Sequence, residues 1–141
     1  MSEILPQHGP CFVCGSANPR GLGLTLRHDG GRVFTDFDLD EVAQGPPGLA
    51  HGGAIAAILD EVMGGAVWLA GHRALLASFT ADYRHPTPLA ARLRAEAWLD
   101  RVEGRKIYAL SRLLLPGGKV AVEGRGLYVQ SPLLAGKVTF G

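Results

Sequence analysis

Between Ala54 and Leu69 sixteen residues run almost without a polar side chain, and the two exceptions, Asp60 and Glu61, stand side by side in the middle. Ile55, Leu59, Val62, Ala66 and Leu69 recur at helical spacing, and Ile58, Met63, Val67 and Trp68 fill other faces, which predicts a helix that is apolar nearly all round. Sixteen residues span about 24 Å, too short and too charged for a membrane crossing, so protein must cover the helix on most sides. A sheet wrapped around it would do so.

The flanking sequence supplies such a sheet. Leu22, Leu24 and Leu26 alternate with small or polar neighbours, Asp29-Gly30-Gly31 has turn chemistry, and Val33, Thr35, Phe37 and Leu39 alternate again, predicting an opening hairpin. Gln44-Gly45-Pro46-Pro47-Gly48 reads as a loop before the helix. Strands are expected over 75–83, from Leu93 to Asp100, from Lys106 to Leu115, and from Lys119 to about Gln130, with turns at Glu103-Gly104 and Pro116-Gly117-Gly118. In the last strand Val120 and Val122 differ in parity from Leu127 and Val129, so a bulge is expected at Gly124 or Gly126. Short turns favour an antiparallel sheet, and one sheet around one helix leaves edges that a second copy would cover.

With 141 residues and 47% hydrophobic content, the chain suits one domain with an ordinary core. A net charge of +1 without like-charge blocks argues against a nucleic-acid or membrane partner. The start, Met1 to Cys11, shows no signal-peptide pattern, and a cytoplasmic location is expected. The two cysteines, Cys11 and Cys14, would need two more ligands for zinc, for which His8 and His28 are available. Pro10, Gly15 and Pro19 instead suggest a tight turn in which small thiols pack, so no metal is expected.

Asp60 and Glu61 carry the chemical interest, because a carboxylate among apolar neighbours costs several kcal/mol unless something compensates. Adjacent helix positions point about 100° apart, so one can face a cavity while the other meets a cation or solvent. Before the helix, His51-Gly52-Gly53 offers first-turn amides with no intrahelical partner, a place for an oxyanion. Eight positions separate Gly52 from Asp60, about 12 Å along the axis, so one carbonyl cannot touch both within one chain. A working site would therefore join the helix start of one subunit to the Asp60 of another.

The run Gly48-Leu-Ala-His-Gly-Gly-Ala-Ile-Ala-Ala-Ile-Leu-Asp60-Glu61 closely resembles the helix signature of hotdog-fold acyl-CoA thioesterases of the phenylacetate-degradation, PaaI-like type. Tyr83-Arg84-His85-Pro86, Val102-Glu-Gly-Arg-Lys106, and Cys11-Phe-Val-Cys-Gly with Asn18-Pro19-Arg20-Gly21-Leu22 extend the likeness over most of the chain. The resemblance implies an α+β hotdog fold, one long central helix wrapped by a curved antiparallel sheet of about five to six strands. It would form one domain over residues 1–141, with an N-terminal loop segment 1–21 and a C-terminal tail 132–141.

It further implies a homodimer or dimer of dimers that hydrolyses acyl-CoA, coenzyme A entering as substrate with no separate cofactor. Asp60 would be base or nucleophile, the Gly52 amide would polarise the carbonyl, and His51 and Gly53 would flank it. Family members often carry Asn or Gln six residues before the histidine; here that position is Gly45, and neighbouring Gln44 is the candidate. Many also carry Ser or Thr where this chain has Leu76, and Ser78 or Thr80, on the same face by strict alternation, would stand in. Arg84, Arg105 and Lys106 are candidates for the coenzyme phosphates. An acyl-CoA binding or sensing protein without chemistry is the alternative, favoured by Leu76. A hotdog hydratase would need its own Asp and His pair, and none is found around His72 or His85.

Overall fold

The structure, a computed structural model, describes residues 1–134. Seven strands occur among them: β1 Glu3–Ile4, β2 Arg27–Asp29, β3 Arg32–Phe37, β4 Ala74–Tyr83, β5 Leu93–Glu103, β6 Lys106–Leu114 and β7 Val120–Gln130. Between β3 and β4 lies the helix α1, Gly52–Leu69. Short 3-10 turns cover Glu41–Ala43 and Pro132–Leu134; of the expected tail, residues 135–141 lie outside the described residues. The strands form one antiparallel sheet in the order β1-β2-β3-β5-β6-β7-β4, which curves around α1. This is the hotdog architecture, with seven strands where five to six were expected.

α1 starts two residues earlier than its apolar run predicts, because His51 caps it and Gly52 and Gly53 form its first turn. At 18 residues it is long and apolar enough to cross a membrane by length and composition, contrary to the expectation that it would be too short and too charged. Here β3, β4, β5, β6 and β7 pack against it instead. Ile55, Ile58, Leu59, Val62, Met63, Ala66 and Val67 are buried, whereas Leu69, expected on the buried stripe, is exposed at the helix end.

The opening hairpin is shorter than the alternation of leucines suggests. Gly30 and Gly31, both at positive φ, join β2 to β3 through a turn that side chains would strain. The stretch 22–26 turns its backbone to the N-terminal segment, with Leu22 N–H donating to Phe12 O, Leu24 N–H to Val13 O, and Leu5 N–H to Leu26 O. Those leucines therefore pin an irregular N-terminal strap to the core and do not extend the sheet.

The bulge expected at Gly124 or Gly126 is not there. Pairing with β4 and β6 continues unbroken through both glycines, and the slip lies at Ala121, between the pairs Leu113↔Val122 and Leu114↔Val120. Gly124 and Gly126 face inward with Val122 and Tyr128. A Cβ at Gly126 would sit 2.9 Å from the Tyr128 ring and 3.1 Å from Met63, and one at Gly124 would crowd Ser111 and Leu59. These glycines bring the strand close to the helix.

Candidate active site around the central helix

At the start of α1, His51 has extended φ and ψ of -66° and 132°, and its Nδ1 accepts from the Gly53 amide at 2.8 Å. The Gly53 amide is thereby engaged within the chain, and the bare Gly53 Cα accommodates the imidazole, which a Cβ would approach to 3.1 Å. The Gly52 amide has no hydrogen-bond partner among the described residues. Tyr83 at the end of β4 donates its hydroxyl to the Gly52 carbonyl at 2.5 Å, fixing that peptide from the sheet side. A cleft of about 330 Å³ opens here, lined by Ala50, Gly52, Ile55, Tyr83, Arg84 and His85 among others.

Gln44 serves the loop before the helix: its side-chain carbonyl accepts from Gly48 N–H at 2.9 Å and its backbone bridges to Ala50. A Cβ at Gly45 would come within 2.9 Å of His51 Cα, so the loop presses directly on the cap.

Two turns further along, Asp60 is partly buried and its Oδ1 accepts from Tyr128 Oη at 2.6 Å, while the same hydroxyl reaches Asp60 O at 3.0 Å. No salt bridge among the described residues includes Asp60. Burial pushes its carboxyl above the ordinary value of 3.8, Tyr128 pulls in the opposite direction, and the charge of Glu61 adds to the rise. Burial, reinforced by Asp60, holds the Tyr128 phenol far above its usual range, so Tyr128 is a hydrogen-bond donor at any working pH.

Tyr128 is a partner of Asp60 that sequence reasoning missed, and it brings a hydroxyl to the carboxylate where Leu76 offers none. Leu76 pairs directly with Tyr128 across β4 and β7, so both lie on the helix-facing side, and the hydroxyl comes from the neighbouring strand. Ser78 cannot replace it. The register shifts between Leu76 and Ser78, where Ala77 is the extra residue, so Ser78 and Thr80 pair with the outward Leu127 and Arg125. Strict alternation failed at that bulge, and Ser78 and Thr80 line an outer-surface groove with Tyr108 and Arg125.

Glu61 points elsewhere, toward the N-terminal strap: its Oε1 is 2.7 Å from His8 Nε2 and 3.0 Å from Cys14 Sγ. His28, the other histidine available to the cysteines, faces Glu3 at 3.7 Å. Of the basic candidates, Arg84 meets Glu123 at 3.3 Å near the helix start, and Arg105 donates to Gln130 O at 3.1 Å beside the exposed Lys106. The backbone of Arg84 bonds to Ala121 and that of Arg105 to Gln130, nine positions apart on β7, about 30 Å. Arg84 and the Arg105-Lys106 pair therefore occupy opposite ends of one subunit.

A sequence profile described as the thioesterase superfamily matches residues 47–121, which hold α1, the strands β4, β5 and β6, and the start of β7. The chain belongs to the thioesterase superfamily. Acyl-coenzyme A thioesterase THEM4 of Xenopus laevis is 41% identical over 78 residues, 55% of this chain and 35% of that protein. THEM5 of Homo sapiens is 34% identical over 72 residues, 51% of this chain and 29% of that protein. The matched stretch thus spans about a third of these curated relatives' length. Among solved structures, the thioesterase superfamily protein RHA08564 aligns with a TM-score of 0.83 and 34% identity over 86% of this chain and 60% of that one. A point mutant of the phenylacetic acid degradation protein PaaI from Thermus thermophilus shares the fold, with a TM-score of 0.71 at 24% identity over 78% of this chain and 95% of that chain.

Proposed function

We propose that this thioesterase-superfamily chain hydrolyses acyl-CoA thioesters in a site shared by two subunits. Asp60 acts as general base or nucleophile, and the Gly52 amide of the neighbouring subunit holds the oxyanion. The observation that carries the reading is the environment of Asp60: a partly buried carboxylate with one hydroxyl donor and no cation, its proton affinity raised by burial toward that of a working base. A carboxylate serving only the fold would be paired.

In the base route, Asp60 takes a proton from water as the water oxygen attacks the thioester carbonyl. The carbonyl oxygen gains negative charge against the Gly52 amide at the positive end of the helix dipole. Collapse of the tetrahedral intermediate breaks the C–S bond, and the proton returns to the departing thiolate. In the nucleophile route, Asp60 attacks directly and water cleaves the resulting anhydride. Tyr128 is a positioning residue in both, aiming Oδ1 through its hydrogen bond.

The proposed reaction calls for a second subunit because the free amide and the carboxylate are eight positions apart on one helix, about 12 Å along its axis. The edge strand β4 is the natural place for it: Leu75, Leu76 and Tyr83 on that strand are exposed by 45%, 39% and 49%. Two copies of β4 paired antiparallel would bring the Tyr83 end of one subunit, with Gly52 and Arg84, to the Ala74 end of the other, with Asp60, Arg105 and Lys106. Basic residues now at opposite ends would then flank one coenzyme phosphate group.

A panel of acyl-CoA esters assayed for free thiol release, with Asp60→Asn alongside, tests the proposal. The expected result is turnover by the wild type and its near-abolition in the variant with ester binding retained. Ester binding without thiol release by the wild type would identify a sensing protein instead.

A further inference from the structure

Three side chains of metal-ligating type from one short segment meet a fourth from the middle of α1 where the N-terminal strap crosses the helix. His8 precedes the Cys-Phe-Val-Cys turn, Cys11 and Cys14 come from that turn, and Glu61 comes from the middle of the helix. One donor atom of each lies within 4.8 Å of all the others. We propose that this cluster binds zinc as a closed site of two cysteines, one histidine and one glutamate, whose role is to fasten the strap to the helix.

The donor set suits the ion. Two thiolates, an imidazole and a carboxylate make the four-coordinate tetrahedral environment that zinc takes in structural sites, with bonds of about 2.0–2.3 Å. Such bonds put neighbouring donor atoms about 3.3–3.8 Å apart, so groups already within 4.8 Å need only small side-chain adjustments. His8 Nε2 and Cys14 Sγ both approach the same carboxylate oxygen, at 2.7 and 3.0 Å, as ligands gathered around one point do. With all four positions filled by protein, no position is left open for substrate or water.

The backbone is shaped for the same purpose. Gly15 N–H closes the turn onto Cys11 O at 3.0 Å, and Val13 N–H donates to Cys11 Sγ at 3.3 Å, which holds the sulfur at the turn. Gly15 lies so close to the Cys11 and Pro10 backbone that no Cβ fits there. The His8 ring centroid is 5.9 Å from that of Trp68, which limits how the imidazole can turn. A cavity of about 30 Å³ beside His8, Cys14 and Glu61 is walled by Leu5, Leu24 and Leu26, the apolar shell that shields a site from water.

Zinc also accounts for two features that the proposed reaction leaves aside. Glu61, whose side chain is 16% exposed, would gain a full cationic partner. The strap, whose only regular element is the two-residue β1, would gain an anchor strong enough to order it.

The test is metal analysis of the full chain produced with zinc in the medium and washed with a mild chelator, set beside Cys11→Ser/Cys14→Ser and Glu61→Gln. About one zinc per wild-type chain is expected, lost in the double variant. Transfer from Glu61→Gln to a chromophoric chelator should be at least about tenfold faster than from wild type. Cobalt replacement should give thiolate charge-transfer and intense visible bands of a tetrahedral ion. If the double variant does not fold, the transfer rates and cobalt spectrum decide alone. Wild type holding no zinc after the wash, or Cys11 and Cys14 recovered as a disulfide, would overturn the proposal. Neither result depends on thioester turnover.

Discussion

On one flank of α1, Asp60 meets a single phenol from β7 and no cation; on the next flank, Glu61 meets an imidazole and a thiol from the strap. The two carboxylates differ by one position in sequence and by about 100° around the helix, which is enough to give them different neighbours. A carboxylate kept short of partners retains its proton affinity for chemistry, whereas one supplied with ligating groups is spent on holding structure.

The contrast is sharpest in substitution. Asp60→Asn is expected to lower kcat by about 10²- to 10⁴-fold, the usual contribution of a positioned base. Glu61→Gln should leave kcat within about tenfold of wild type while releasing zinc at least about tenfold faster. Steady-state kinetics with metal analysis reads both, and a reversed order of kcat losses would break the comparison.

Removing the oxyanion donor should cost about 10²-fold in kcat with the fold retained. Gly52→Pro does this cleanly, because proline is favoured at the first helical position, the lost N–H has no partner, and His51 already has the extended backbone a following proline requires. Circular dichroism checks the helix, and unchanged kcat would remove Gly52 from the reaction.

Tyr128→Phe should lower kcat by about tenfold, the value of one hydrogen bond to a charged group. The acid limb of the pH profile of kcat/KM should already lie above 3.8 in wild type, and losing the Tyr128 bond should move it higher. A fixed acid limb would show that another group titrates there.

Stability effects are smaller. Asp60 has a raised folded pKa, so its contribution to stability is full below 3.8 and is lost as pH rises through the folded value. At neutral pH it therefore weakens the fold, and Asp60→Asn should raise Tm by a few degrees in a thermal melt. Gly126→Ala should act in the opposite sense, costing about 1–3 kcal/mol by crowding Tyr128 and Met63.

The sequence made the helix legible because an apolar run of that length needs cover on nearly all sides, and the eight-position gap between Gly52 and Asp60 is what led to the proposal of a shared site. Tyr128 stayed hidden because its relation to Asp60 is purely tertiary, 68 residues apart. Ser78 misled because alternation breaks at a bulge that leaves no mark in Ala77. The cysteines read as packed thiols because Pro10, Gly15 and Pro19 suggest a tight turn, and Glu61, 47 residues from Cys14 in sequence, gives no local sign of lying beside them. Long-range convergence of this kind carries no local signal.

The most direct test of the shared site mixes two inactive proteins, Asp60→Asn and Gly52→Pro, unfolded and refolded together. In a two-fold dimer each mixed pair rebuilds one site from the intact Gly52 of one chain and the intact Asp60 of the other, so random pairing should restore about a quarter of wild-type thiol release. Mixed dimers that form but release no thiol would contradict it and place the reaction within a single chain.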